Sequence, residues 1–414
     1  MSLLDISAVL LTLAALFGYL NHRFVGLPTT IGIMVISMVL SLIMVLLARF
    51  GIHGGEETVL ALISGIDFDD TLMKGMLSFL LFAGALHVDI AELARHRNII
   101  AILATGGVIF TTFAVGTIAW LLFPMLGLPL DYGYCLLFGS LIAPTDPVAV
   151  MSIMRTANVP KSLQTKVAGE SLFNDGVAVV VFLVIAGTVL SGETVTIAGV
   201  AKLFALEALG GVIYGFVIGW ISFKMLKSVD NYQIEVLLTL ALVMGGYALA
   251  NHLHVSGPLA MVVAGLYIGN RGRRDAMSER TREHLDNFWE LIDEILNAVL
   301  FLLIGLEVLV VAAELQVLAA GVLIIPVVLL ARLVSVSIPV MVLRRFQEFS
   351  PGAVRVLTWG GLRGGISVAL ALSLPAGEVR DLLVSVAYVV VVFSIVVQGL
   401  TIRHVVQSVT EPTR

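Results

Sequence analysis

The sequence predicts an all-α integral membrane protein of about 13 transmembrane helices, built as two inverted six-helix repeats in which spans 5 and 12 are discontinuous and cross. Three observations carry this prediction. Of the 414 residues, 59% are hydrophobic and 13% charged, against about 45–50% and about 25% in a soluble domain, and the mean hydropathy is +1.04. Apolar runs of about 20 residues, enough to cross a roughly 30 Å hydrocarbon layer as a helix, recur along the whole chain. Two of these runs are interrupted near their middles by proline or glycine beside a charge. An apolar excess of this size has no aqueous core to enter, so the bilayer is the solvent.

The apolar runs and their polar breaks place spans at approximately 5–21, 28–48, 71–89, 98–123, 132–154, 162–190, 198–223, 232–251, 256–270, 287–310, 316–343, 353–374 and 381–402. The first reads as a retained helix, because its flank lacks the positive n-region and small-residue cleavage pattern of a signal peptide. Residues 1–414 form one polytopic domain: a first repeat over about 5–190, a connector over about 198–223 and a second repeat over about 232–402. In the connector, Gly210, Gly211, Gly215 and Gly219 have the small-xxx-small spacing of close helix packing, within the chain or at a subunit contact. Cys135 is the single cysteine, lies in an apolar run and is read as packing.

Basic residues sort by loop. Arg23, Arg95, Arg97, Arg155, Lys161, Lys166, Lys224, Lys227, Arg344, Arg345, Arg355, Arg403, Arg414 and the Arg271 to Arg282 cluster fall on one side. Arg49, Lys74, Lys202 and Arg380 fall on the other, with the acids Glu56, Glu57, Asp67, Asp69 and Asp70. The positive-inside rule makes the first side cytoplasmic, the N-terminus external and the C-terminus cytoplasmic, in a bacterial or archaeal inner membrane.

Charges inside spans are costly and mark protein-lined or water-filled sites. In span 5, Ala143-Pro144-Thr145-Asp146-Pro147 brackets a carboxylate with two prolines, which unwind the helix. In span 12, Gly360-Gly361-Leu362-Arg363-Gly364-Gly365 surrounds an arginine with four glycines. Asp146 and Arg363 suit the exposed half-helix ends that such breaks create, and compensation alone, without contact to a transported species, is a competing reading for both. Span 6 presents Glu170, Ser171, Asn174 and Asp175 on neighbouring helical stripes, a set of hard oxygen ligands suited to a small cation; a hydrogen-bonded packing face is the bland alternative. Arg332, the charge well inside span 11, needs a partner, and Glu170 is the best candidate. That pairing leaves Asp175 uncommitted. Desolvation favours its acid form, while amides, hydroxyls and a bound cation favour the anion, so the group can hold either a proton or a cation.

Other polar residues take simpler readings. Asp5, Glu207 and Glu307 suit interface or packing roles, Asp293 and Glu294 suit a cytoplasmic funnel, and His87, His252 and His254 sit at interfaces. There is no metal-ligand spacing, phosphate-binding glycine loop or Ser/His/Asp arrangement. Nucleic acid, ATP, a resident cofactor and enzymatic catalysis are therefore not expected.

The pieces APTDPVAV (143–150), ESLFNDGVAVVVF (170–182), the arginine of LLARLVSV (329–336) and WGGLRGGISVALAL (359–372) resemble sodium/proton antiporters of the NhaP/NHE type, monovalent cation:proton antiporter family 1. The resemblance implies that Asp175 carries Na⁺ or Li⁺ and H⁺ in turn, with Asn174 its partner. It implies that Thr145, Asp146 and Ser171 lie at or beside the ion, with Na⁺ at Asp175, Ser171 and Thr145. It further implies a Glu170–Arg332 bridge, Arg363 at the helix crossing, a homodimer among membrane lipids and elevator-like alternating access. Asn174 in place of a second aspartate is similar to the electroneutral one-for-one branch. One departure is Ala83, where many relatives are acidic, which bears on Na⁺ against K⁺. The rival readings are a potassium/proton antiporter of the same architecture, and a channel or sodium-coupled solute carrier.

Overall fold

The computed structural model describes residues 3–50, 75–147, 150–151, 154, 159–191, 197–309, 314–347 and 349–410. Among these the chain is helical, and its isolated β-bridge joins Asp146 to Leu362. Glu56, Glu57, Asp67, Asp69, Asp70, Lys74, Arg155 and Arg414 lie outside the described residues.

In chain order the helices are α1 (Leu3–Leu20), α2 (Thr29–Arg49), α3 (Leu77–Leu86), the short α4 (Ile90–Arg95), α5 (Arg97–Met125), α6 (Tyr132–Ile142), α7 (Lys161–Ser191), α8 (Ile197–Lys227), α9 (Tyr232–His252), α10 (Gly257–Tyr267), α11 (Glu279–Leu306), α12 (Leu315–Leu343), α13 (Ala353–Trp359), α14 (Gly365–Leu372), α15 (Glu378–Phe393) and α16 (Gly399–Thr410). Eight helical segments among the described residues are long and apolar enough to cross a membrane. The others are shorter helices, six to eleven residues in length and including those that flank the chain breaks, or, in α11, a helix polar over its first half.

Local chemistry sets the ends. Asp89 accepts the amides of Ala91 and Glu92 at the start of α4, and Asn231 accepts those of Gln233 and Ile234 at the start of α9. Ser256 caps α10 through the Leu259 amide, with Pro258 in its first turn. Ser278 caps α11 through Thr281, which starts that helix eight residues before the apolar run that marks span 10. Hydropathy misses that segment because it is amphipathic, whereas its cap and buried Thr281, Leu285 and Trp289 hold it in place. The Trp289 indole donates to Thr239 Oγ1 at 3.0 Å and packs against the Phe82 ring, centroids 4.7 Å apart and planes tilted by 54°, tying α11 to α9 and α3.

The glycine stripe of α8 faces α10 of the same chain. A Cβ on Gly211 would lie 2.6 Å from Ser256 O, and one on Gly219 would lie 3.3 Å from Ala264 Cα. Of the two uses expected for this stripe, the intrachain one is seen. Across the molecule α5 packs as closely on α6, where a Cβ on Gly116 would meet Cys135 O at 2.8 Å; Cys135 is buried in that contact. The close α5–α6 pair fixes α6, and with it the start of the first chain break.

Candidate functional site

Pro144 and Pro147 cannot donate into a helix, and α6 stops at Ile142. In the other half α13 stops at Trp359 and α14 begins at Gly365. The two unwound peptides cross, and the Asp146 amide donates to Leu362 O at 2.7 Å.

Three half-helix ends among the described residues meet a group of the opposite sign. Arg363 donates to Ala143 O and Pro144 O, at 2.5 and 3.0 Å, at the negative end of α6. Arg332 donates through Nε and Nη2 to Leu357 O, at 3.2 and 2.9 Å, at the negative end of α13. Asp146 packs against Gly364, at the positive end of α14, where an added Cβ would come within 2.8 Å of Asp146 Cγ. A third hold comes from α15: where it passes through a π turn at Ser394–Gln398, Ser394 Oγ accepts the Arg363 amide at 2.8 Å and Gln398 Nε2 donates to Trp359 O at 3.1 Å.

The polar face of α7 divides in two. Glu170 turns toward α12 and takes both guanidinium arms of Arg332, with Nη2 to Oε2 at 2.9 Å and Nη1 to Oε1 closer still. Ser171 and Asn174 turn toward the α6 break. Asn174 Nδ2 donates to Thr145 Oγ1 at 2.6 Å, Asn174 Oδ1 accepts the Thr145 amide at 3.4 Å, and Thr145 Oγ1 and Ser171 Oγ are 3.1 Å apart. Asp175 stands beside this network, only 6% exposed, and its Oδ1 has no hydrogen-bond partner. A buried carboxylate oxygen without a donor is expensive as a bare anion, and a proton or a cation relieves that cost.

Asp175 is reached by a cavity of about 850 Å³ between α3 and α11 on one side and α7, the break at 144–147 and the start of α14 on the other. Along α7 it runs from Lys161 past Gln164, Ala168 and Leu172 to Asp175, which is roughly 21 Å of helix. Acids line it throughout: Asp89, Glu92, Glu290, Asp293 and Glu294, with Asp146 and Asp175. Such a funnel concentrates cations and repels anions.

The structure therefore joins Thr145, Ser171 and Asn174 by hydrogen bonds, places Asp175 next to Asn174 on the cavity wall with Asp146, holds Glu170 on Arg332, and sets Asp146 and Arg363 at the crossing. Arg363 reaches backbone carbonyls of the α6 end, not the cavity. Ala83 lines the cavity, as does His87, whose ring Nδ1 is 2.9 Å from Ala83 O. Sequence reasoning missed Asn297 and Ser367, buried polar residues on the cavity wall, and the Ser394–Gln398 pair. Their common signal is one neutral polar residue per turn inside an apolar run, which hydropathy averages away. The Gly364 contact yields a prediction: Gly364→Ala forces Cβ onto Asp146, costs about 1–3 kcal/mol by overpacking, and lowers transport more than tenfold at near-normal membrane expression, checked by flux and detergent thermal stability.

A family model described as "Sodium/hydrogen exchanger, transmembrane" matches residues 11–408. The chain is 51% identical over 98% of its length to Na(+)/H(+) antiporter NhaP of Pseudomonas aeruginosa, covering 97% of that protein. It is 35% identical over 82% of its length to Na(+)/H(+) antiporter NhaH of Halobacillus dabanensis, covering 83% of it. Its fold matches the solved structure of the sodium proton antiporter MjNhaP1 from Methanocaldococcus jannaschii with a TM-score of 0.77, at 17% identity over 99% of both chains.

Proposed function

The chain belongs to the sodium/hydrogen exchanger family, and from that premise we propose that it is a secondary active sodium or lithium/proton antiporter in which H⁺ and the metal ion compete for Asp175. One observation carries the mechanism. A buried carboxylate oxygen without a partner stands at the inner end of an acid-lined cavity, beside hydroxyl and amide oxygens already held in place. Na⁺ at Asp175 would take Ser171 and Thr145 oxygens as further ligands, with Asn174 fixing Thr145 and Asp146 adding negative potential at the cavity wall. Glu170 and Arg332 serve as a structural pair, and Arg363 as compensator of the crossing. Because one carboxylate is neutralised by either ion, each exchange moves one for one and carries no net charge.

The same reading takes the molecule as about 13 spans in two inverted repeats, about 5–190 and 232–402, around the connector at about 198–223. It is a homodimer in the inner membrane with its C-terminus cytoplasmic, which makes the cavity mouth at Lys161 the cytoplasmic side. Rigid movement of the crossed helices past α3 and α11 then exposes Asp175 to the other face. Potassium is the specific rival cation, because Ala83 adds no oxygen to the cavity wall and selection between the two ions turns on cavity size and the number of ligands.

The test is proton flux in liposomes with an imposed pH gradient. Added Na⁺ or Li⁺ is expected to collapse the gradient over pH 6 to 9, at a rate unaffected when the membrane potential is clamped at zero. Collapse by K⁺ alone would make it a potassium/proton antiporter, and no proton movement with any cation would refute antiport.

A further inference from the structure

α11 lines the cavity with one stripe, in which Asp293, Asn297 and Leu300 recur at helical spacing. The cavity lining on α11 goes no further than Leu300, which fills the space over Gly365: a Cβ on that glycine would lie 2.8 Å from Leu300 Cγ. Two turns on, about 10 Å along the axis, the same stripe reaches Glu307 in the turn that ends the helix. Glu307 is 1% exposed, and its Oε2 has no hydrogen-bond partner. On α15 the Tyr388 hydroxyl and Arg380 Nε are also buried and unpartnered, and both residues lie within Coulombic reach of Glu307. The turn carrying Glu307 packs against α2, where Ser41 Oγ is a further buried oxygen without a partner.

We infer that Glu307 is a second carboxylate of the ion path, which takes a proton or a monovalent cation on the side of the membrane opposite the cavity, with the Tyr388 and Ser41 oxygens as its neighbours. The inference rests on the antiport reading above. A packing role would be met by an apolar side chain, since buried polar groups normally find partners; here buried polar atoms without partners occur on the turn that ends α11, on α2, which packs against that turn, and on α15. Acids line the cavity side up to Leu300, and beyond Leu300 the stripe ends in this one acid. Arg380 keeps the site from holding its ion too tightly, as a path that must release its cargo requires.

The experiment measures sodium- and proton-dependence from each side separately, in proteoliposomes whose orientation is read by trypsin cleavage in the Arg271 to Arg282 connection. Glu307→Gln is expected to raise the apparent KM for Na⁺ about fivefold or more on the side away from the cavity, and less than about twofold on the cavity side. That fivefold corresponds to about 1 kcal/mol. Proton affinity on the affected side should weaken in parallel, because one carboxylate serves both ions, and Glu307→Asp should restore most of both. Should Glu307→Gln fail to reach the membrane, Tyr388→Phe is read instead, with a smaller shift on the same side only. Equal shifts on both sides, or a lower maximal rate with unchanged KM, overturn the inference. Absence of exchange in the wild type would instead sink the antiport reading itself.

Discussion

Asp175→Asn is expected to bring sodium-driven proton flux down to the background of protein-free liposomes. The amide is nearly the same size and can keep the local packing, yet it neither binds a proton in the physiological range nor neutralises a cation. Both half-cycles therefore fail. The loss is not a folding defect: Asp175 is 6% exposed with an unpartnered oxygen, so removing its charge relieves a buried anion, and thermal stability in detergent should be equal or higher. Asp175→Glu keeps the chemistry but displaces the carboxylate by a methylene from Ser171 and Thr145, and should retain proton-coupled exchange slowed by about 10- to 100-fold. Competition adds a pH signature in the wild type. If H⁺ and Na⁺ exclude each other at one carboxylate, the apparent KM for Na⁺ rises about tenfold per pH unit on the acid side of its titration and levels off above it. A sodium-coupled solute carrier has no reason to show that slope, and an Asp175→Asn variant with wild-type flux would remove Asp175 from the mechanism.

How much of this was legible in the sequence depends on whether a residue's function is local. Pro144 and Pro147 break a helix wherever they sit in one, and Asp146, Glu170, Asp175, Arg332 and Arg363 are conspicuous because charge inside an apolar run is expensive. The division of the α7 face was legible in part: the lone charge of Arg332 pointed to Glu170, but the hydrogen bonds of Asn174 and Ser171 to Thr145 could not be read from spacing. Glu170 and Asn174 are one turn apart, but Glu170 faces Arg332 on α12 and Asn174 faces Thr145 on the unwound segment after α6, and which neighbour covers which stripe is a property of the packing. Asn297, Ser367, Ser394 and Gln398 were hidden for a related reason: a neutral polar residue barely lowers the hydropathy of a span, and its use appears only when a helix from the other half of the chain presents a backbone amide or carbonyl, as at Arg363 and Trp359. The start of α11 was missed because it is amphipathic, and a hydropathy window reads amphipathic helix at a membrane surface as loop.

Arg332→Met should destabilise the protein by about 3–5 kcal/mol, the usual consequence of leaving one member of a buried ion pair alone, and lower its melting temperature by roughly 10 °C. Arg332 holds two things at once: the Glu170 carboxylate through both guanidinium arms, and Leu357 O at the open end of α13. Gly361 allows this, since a Cβ there would lie 2.5 Å from Arg332 Nε and 3.0 Å from Cζ. Glu170→Gln leaves the arginine with the Leu357 carbonyl and an amide oxygen, so it should cost less than Arg332→Met. In the double variant the uncompensated carboxylate is gone and only the Leu357 carbonyl stays unmet, at about 1–3 kcal/mol. The cycle is therefore strongly non-additive: Glu170→Gln with Arg332→Met should be more stable than Arg332→Met alone, with a coupling of about 2 kcal/mol or more. Flux separates the structural role from an ion-binding one. If the pair only holds α7, α12 and α13 together, the double variant recovers part of its rate with an unchanged KM for Na⁺; if Glu170 is itself an ion ligand, stability returns but KM stays raised, because the lost oxygen is not replaced by repairing the fold.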